Sequence, residues 1–287
     1  MELTTIKYLS ILYVWISGYL GCSFSIFVIN YFYSSNNIST IEQCFRFISA
    51  GIMTSLATVH LFPDAQDNFI TITEFHWAGI CVLGGIIFMM LIENIVHGSN
   101  HHHHDMNHIN IPIESDKNII KIKSRAILLE IGCVFHSVII GITLGTVKIH
   151  NEESQLITLL IGLCCHQFLE GLGLGAILAS AKFSIFKSFI FKMLFSVTAP
   201  IGIAIGISMS ETYDETSYRA NIIQGIFNGI SCGLLLYVSL VQLISEDFIH
   251  HNLQLKTRFL SIISFCIGSL GMILIAVYGE NEEHIEH

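Results

Sequence analysis

The chain has 287 residues, of which 52% are hydrophobic and only 12% are charged, and its mean hydropathy is +0.65. A soluble domain has about a quarter of its residues charged, so this composition excludes a soluble globular protein and indicates a protein of the lipid bilayer. The net charge of -9 excludes a basic protein that binds nucleic acid. With three prolines and no low-complexity tract, the sequence is not that of a disordered or fibrous chain either.

Eight apolar segments have the length that a membrane-spanning helix requires. The bilayer core of about 30 Å needs about 20 apolar residues per helix. The sequence therefore predicts an all-α membrane protein, a bundle of eight transmembrane helices. Three helices fall in residues 1–96 and five in 126–287, with a polar segment at 97–125. The apolar runs are approximately Tyr8–Phe32, Phe45–Phe62, Trp77–Val96, Ala126–Val147, Leu156–Ala181, Phe189–Met209, Ala220–Leu243 and Phe259–Tyr278.

The basic residues predict the orientation of the bundle, because loops rich in Lys and Arg stay in the cytoplasm. One side has Arg46, Lys117, Lys121, Lys123, Arg125, Lys182, Lys187, Lys192, Lys256 and Arg258, and the other has Lys7, Lys148 and Arg219. We therefore expect both termini to be extracellular or lumenal and the segment 97–125 to be cytoplasmic. The opposite side is acidic, which either attracts cations or simply keeps short loops soluble.

Predicted helices four and five carry ionisable residues at membrane depth, where such groups are costly and usually functional. His166 and Glu170 are four residues apart, so they share one helix face, and His136 lies on the preceding helix. Imidazole nitrogen and carboxylate oxygen are ligands of divalent transition metals, and three protein ligands leave positions open for water. Glu130 falls on the Ser137 face of its helix, so we expect it to support the site or the fold.

Predicted helix two has a stripe of residues that could form an outer approach to this site. Met53, Ala57, His60 and Asp64 are spaced to fall on one face, with Asp64 at the outer end. Two other interpretations stay open at this stage. Met53 is also compatible with an ordinary core residue, and His60 with a hydrogen bond between helices.

Cysteines and glycines in the apolar runs indicate packing. Seven of the cysteines lie inside such runs, where they are expected to behave as small buried hydrophobic residues. Glycines four residues apart, as in Gly141 and Gly145 or Gly171 and Gly175, allow two helices to approach closely. Both features are common in membrane bundles and by themselves do not indicate a function.

Two segments resemble a known family. Helix four contains Leu129-Glu130-Ile131-Gly132 and the run from His136-Ser137 to Gly145, and helix five contains the run from His166-Gln167 through Glu170-Gly171 to Gly175. They resemble the signature helices of the ZIP family of zinc and iron transporters, in the branch of the plant iron-regulated and fungal zinc-regulated transporters. The resemblance extends over nearly the whole chain. It implies a homodimer with an elevator-like motion that imports Zn²⁺, Fe²⁺ or related ions as transported substrates, with no cofactor.

The resemblance also assigns roles to individual residues. It implies that the ion ligands are His136, His166 and Glu170. It implies also that Ser137 and Gln167 are their neighbours and that Met53 and His60 lie on the helix that faces the site. Many members have a carboxylate four residues after the helix-four histidine, where this chain has Ile140, and an acidic residue where it has Gln167. Because a second ion would lack anionic ligands, we expect one ion at a time.

The segment 97–125 is the longest polar stretch and is rich in histidine. It contains His97, His101, His102, His103, His104 and His108. Such tracts bind transition metals loosely, so the segment could receive ions that leave the pore or sense cytoplasmic metal. A silent linker is the alternative.

Two other functional classes remain open from the residues. A membrane-embedded metal-dependent hydrolase or hydroxylase would use Glu170 as its catalytic base, and the HxxxH spacing of His104 and His108 is a weak indication of this kind. A cation exporter would use the same ligands with the opposite flux. The expected partners are divalent metal ions and the lipid bilayer. The plasma membrane is the expected location, with an organelle membrane as the alternative.

Overall fold

In the computed structural model, all regular secondary structure in the described part of the chain is helical, and the predicted all-α class is confirmed. The described residues are 3–32, 38–70, 72, 75–102, 114–146, 153–181, 183–209, 217–245 and 255–283. Their helices are α1 (Leu3–Tyr31), α2 (Ile38–Ser55), α3 (Phe62–Ile70), α4 (Trp77–His102), α5 (Glu114–Thr146), α6 (Glu153–Ser180), α7 (Ile185–Met209), α8 (Tyr218–Leu236) and α9 (Leu255–Glu283). Two π-helical segments are π1 (Leu56–Leu61) and π2 (Tyr237–Ser245).

The predicted number of membrane spans is confirmed, since the described residues contain eight helices long and apolar enough to cross a bilayer. The α2, π1 and α3 segments together form one span, and α8 with π2 forms another. Helices α4 and α5 extend into the polar segment 97–125, α4 to His102 and α5 from Glu114. A helix can continue beyond the bilayer because polar residues such as Lys and Glu are good helix formers in water. Residues 103–113 of that segment lie outside the described part.

The helices pack into two groups of four, each joined by close backbone contacts at glycines. The first group is α1, α5, α6 and α7. A Cβ atom on Gly141 would lie 2.3 Å from the Ala199 carbonyl oxygen, and one on Gly175 would lie 2.4 Å from that of Cys22. These contacts confirm the close approach that the glycine spacing predicts. A larger residue at either position would force the backbones apart.

The second group contains α2, α4, α8 and α9 and is built in the same way. A Cβ atom on Gly85 would lie 2.3 Å from the Ile230 carbonyl oxygen, and one on Gly268 would lie 2.2 Å from that of Ile48. Backbone therefore touches backbone within this group as well. Each group is a tightly packed unit.

Contacts between the groups near the middle of the bundle run through side chains. At Gly173 of α6 a Cβ atom would meet the Met53 methyl carbon at 3.0 Å, and at Gly132 of α5 it would meet Leu235 at 3.4 Å. Side chains can change conformation where backbone cannot. The packing between the groups is therefore more adjustable than the packing inside either group. The inner faces of α5 and α6, which carry the predicted site, lie against this interface.

Candidate metal centre

Helices α5 and α6 bring His136, His166 and Glu170 together in the core. These residues are 2%, 3% and 0% exposed. The Nε2 atoms of His136 and His166 are 3.2 Å apart, and His166 Nε2 lies 3.7 Å from Glu170 Oε2. Two ligands of one tetrahedral Zn²⁺ ion are separated by about 3.3 Å when each bond is about 2.0–2.1 Å. Both distances are therefore close to those of ligands that share one ion.

The three side chains are adjacent but do not form a finished coordination shell. Within the described residues, no three His, Cys, Asp or Glu side chains stand in an arrangement that could hold a metal ion as placed. The geometry instead consists of two ligand pairs that share His166.

Buried polar atoms without a protein hydrogen-bond partner concentrate around these residues. Both oxygens of Glu170 and the Nδ1 atom of His136 have none, and neither do the Ser137 hydroxyl and the Gln167 amide. Such groups are costly in a protein interior and need an explanation. A bound cation would supply a partner to the Glu170 oxygens, so His136, His166 and Glu170 are of the types that suit a divalent ion, whereas the Gln167 amide nitrogen lies beside Gly18 of α1.

The outer approach predicted on helix two lies where the helix changes its winding. His60 belongs to π1, whose backbone hydrogen bonds span five residues rather than four. Its ring centroid lies 6.0 Å from that of His166, and its Nε2 atom lies 3.9 Å from Asp64 Oδ2. The side chains of His60 and Asp64 are 34% and 43% exposed. The structure thus places a partly exposed imidazole and carboxylate between the surface and the buried histidines.

Met53 lies deeper than His60 and is fully buried. Its methyl group packs against Gly173 of α6, one turn beyond Glu170. The structure places Met53 in the hydrophobic core cluster as well as next to the helix that carries Glu170. This position fits either of the two interpretations of its sequence pattern.

Sequence reasoning missed two polar features of the core. Cys133 of α5 is fully buried, and its thiol lies beside the Glu170 carboxylate without a hydrogen bond of good geometry. In the second group, the Tyr237 hydroxyl donates a hydrogen bond to Glu93, and the Gln242 amide donates another at 3.4 Å. The signal for Glu93 was its place near the end of an apolar run, where a carboxylate needs a partner.

The fold and these residues define a multi-pass membrane protein with buried His and Glu side chains on two neighbouring helices. A family model described as "ZIP Zinc transporter" matches residues 4–117 and 97–276. The chain is 30% identical over 300 residues to "Fe(2+) transport protein 1" of Arabidopsis thaliana, which covers 94% of this chain and 85% of that protein. It is 32% identical over 256 residues to "Zinc transporter 3" of the same plant, covering 82% and 75%. The chain belongs to the ZIP family.

Membership of this family confirms the predicted class, a divalent metal ion transporter of the membrane. The metal is the transported substrate and not a cofactor. The family consists of transporters, so the protein is not an enzyme, and the hydrolase or hydroxylase alternative has no support.

Proposed function

We propose that the protein imports Zn²⁺, and Fe²⁺ as a second substrate, into the cytoplasm through His136, His166 and Glu170. The observation that supports this most strongly is the burial of three metal-ligand side chains on two adjacent membrane-spanning helices. Imidazole and carboxylate suit both ions. The names of the relatives, zinc transporters and an Fe²⁺ transport protein, support the same pair of ions.

In this proposal the ion enters from the acidic side through the partly exposed pair His60 and Asp64. It loses part of its hydration there and passes to the buried ligands, which His60 approaches within 6.0 Å. Movement of the first helix group against the second then opens the site to the cytoplasm. The side-chain contacts between the groups, at Gly173 and Gly132, support such a movement.

The direct test is uptake of radiolabelled Zn²⁺ and Fe²⁺ into proteoliposomes that contain the wild-type protein. We expect accumulation down an inward metal gradient, with Fe²⁺ competing for Zn²⁺ uptake. Transport of neither ion would overturn the proposal. In cells, an increase in efflux with no increase in uptake would favour the exporter.

The outer approach gives a separate expectation. Replacing His60 with alanine should raise the apparent KM for Zn²⁺ by about tenfold, with a smaller fall in the maximal rate, because capture weakens while the deep ligands remain. Initial uptake rates over a range of Zn²⁺ concentrations measure both quantities. His76→Ala is the matched control, since His76 is exposed at the same end of the bundle. An unchanged KM in His60→Ala would contradict this path.

We propose further that the histidine-rich segment 97–125 is a cytoplasmic metal sensor. His103, His104 and His108 lie outside the described residues. Replacing His101 through His104 with alanine should leave the initial uptake rate within about twofold, since the transport ligands are untouched. It should weaken the decline of uptake after cells are loaded with zinc. An identical decline in the variant and the wild type would favour the silent linker.

We propose that the protein lies in the plasma membrane with both termini extracellular. We propose also that it is a homodimer. The distribution of Lys and Arg supports the orientation. Epitope accessibility at each terminus in intact cells tests the orientation and the membrane together. Crosslinking in the membrane tests the dimer.

A further inference from the structure

Glu130 is a buried carboxylate that the transport site described so far does not use. It is 3% exposed, and neither of its carboxylate oxygens has a hydrogen-bond partner among the described residues. An isolated charge in a membrane-spanning segment is costly and is rarely kept without a function. Glu130 also lies close enough to Glu170 for the two carboxylates to repel each other.

The position of Glu130 relative to the histidines follows from the helix geometry. It precedes His136 by six residues, which is about 9 Å along α5. Glu170 follows His166 by four residues, about 6 Å along the antiparallel helix α6. Both carboxylates therefore lie on the same side of the histidine pair. In the proposed orientation this is the cytoplasmic side.

A thiol lies next to one of these carboxylates and within electrostatic range of the other. Cys133 is three residues after Glu130 and thus on the same face of α5, and it lies beside Glu170. From its place in an apolar run, this cysteine is expected to be a packing residue. Its surroundings differ from those of Cys232, which is equally buried but donates its S–H to the Ala57 carbonyl oxygen.

We propose that Glu130, Cys133 and Glu170, which do not surround an ion as placed, converge into a second, deeper cation position to which the ion passes when it leaves His136 and His166. This inference rests on the proposed function. Glu170 belongs to both positions, so the ion can move without losing its last ligand. Since one carboxylate serves both, the two positions are occupied in turn, in agreement with one ion at a time.

The ligand set of this position has a consequence for selectivity. Binding of the ion displaces the proton of the Cys133 thiol to water. The resulting thiolate prefers soft or borderline ions such as Cd²⁺ and Zn²⁺ to the harder Mn²⁺. Cys133→Ser should therefore lower Cd²⁺ uptake relative to Mn²⁺ uptake. Glu130→Gln should slow Zn²⁺ uptake by about tenfold or more, comparable with the loss of other groups that support a metal site. Glu130→Asp, which keeps the charge, should recover part of the rate.

The test combines binding and transport on the full chain. Purified protein is titrated with Cd²⁺, and the ultraviolet absorption of the cadmium–thiolate bond is recorded. The exposed thiols of Cys165 and Cys266 contribute to this absorption in every variant. We therefore expect Cys133→Ser to lose the share of one thiolate and Cys232→Ser to keep the full wild-type absorption. Equal absorption in Cys133→Ser and wild type would overturn the proposal, as would wild-type Zn²⁺ uptake by Glu130→Gln at equal amounts in the membrane.

The outcomes separate this proposal from the proposed function. If the wild type transports Zn²⁺ and Glu130→Gln does so equally, only the deeper position is wrong. If the wild type transports no metal, the proposed function itself fails. Glu130→Gln is not expected to misfold, because glutamine has the same shape as glutamate. If Glu130 were only structural, replacing its unpartnered buried charge with a neutral group would leave the stability of the protein unchanged or raise it.

Discussion

Zn²⁺ uptake by Glu170→Gln is expected to fall by about 100-fold or more, because loss of a proposed ligand should cost at least as much as loss of a group that only supports a ligand. Glu170 is the one anionic ligand of the proposed first position and is fully buried. Glutamine has the same size, so the packing of α6 is preserved while the charge that holds the cation is removed. Initial rates of radiolabelled Zn²⁺ uptake, normalised to protein in the membrane, measure the effect.

The matched control is Glu42→Gln on α2, which removes a carboxylate from a partly exposed position outside the site. This variant should transport at the wild-type rate. If Glu170→Gln also did so at equal expression, the assignment of Glu170 as a ligand would be wrong. His136→Ala and His166→Ala should resemble Glu170→Gln and not the control.

A single methyl group added at Gly85 is expected to destabilise the second helix group by about 1–3 kcal/mol. A Cβ atom there would lie 2.3 Å from the Ile230 carbonyl oxygen and 3.1 Å from the Gly233 Cα atom. Backbone cannot move aside as a flexible side chain can, so α4 and α8 must separate. Thermal unfolding of the purified protein, followed by the loss of its monodisperse peak in size-exclusion chromatography, detects the lower midpoint.

The neighbouring residue provides an internal comparison. At Gly84 a Cβ atom would meet nothing within 4 Å. Gly84→Ala should therefore be neutral or slightly stabilising, because alanine is the better helix former by about 1 kcal/mol. Equal midpoints for Gly85→Ala and Gly84→Ala would show that close contact between α4 and α8 does not limit stability.

The membrane spans and the proximity of His166 and Glu170 follow from sequence because both depend on local patterns. Span length is set by the thickness of the bilayer, and the four-residue spacing of His166 and Glu170 places them on one face of any α-helix. Gly141 similarly indicated a close helix contact from its spacing alone. These inferences required no knowledge of which helices are neighbours.

The features that sequence reasoning did not find depend on neighbouring helices or on backbone winding. The helical spacing of α5 predicts which face of that helix carries Glu130. It does not show that Glu170 of the neighbouring helix lies near Glu130. In the sequence, Cys133 lies in an apolar run like the other packing cysteines. It differs from them only in the residues that surround it in the folded structure. The π-helical winding at His60 leaves no mark in the hydrophobic pattern, which is why a regular helix was assumed there.

The central claim is that His136, His166 and Glu170 bind the same transported ion, and a double-mutant cycle on Zn²⁺ affinity tests it most directly. Equilibrium binding of Zn²⁺ to the purified full chain is measured for the wild type, His136→Ala, Glu170→Gln and the double variant. Residues that share one ion are strongly coupled, so the double variant should lose little more affinity than either single variant. Losses that simply add, as for distant independent sites, would contradict a shared ion.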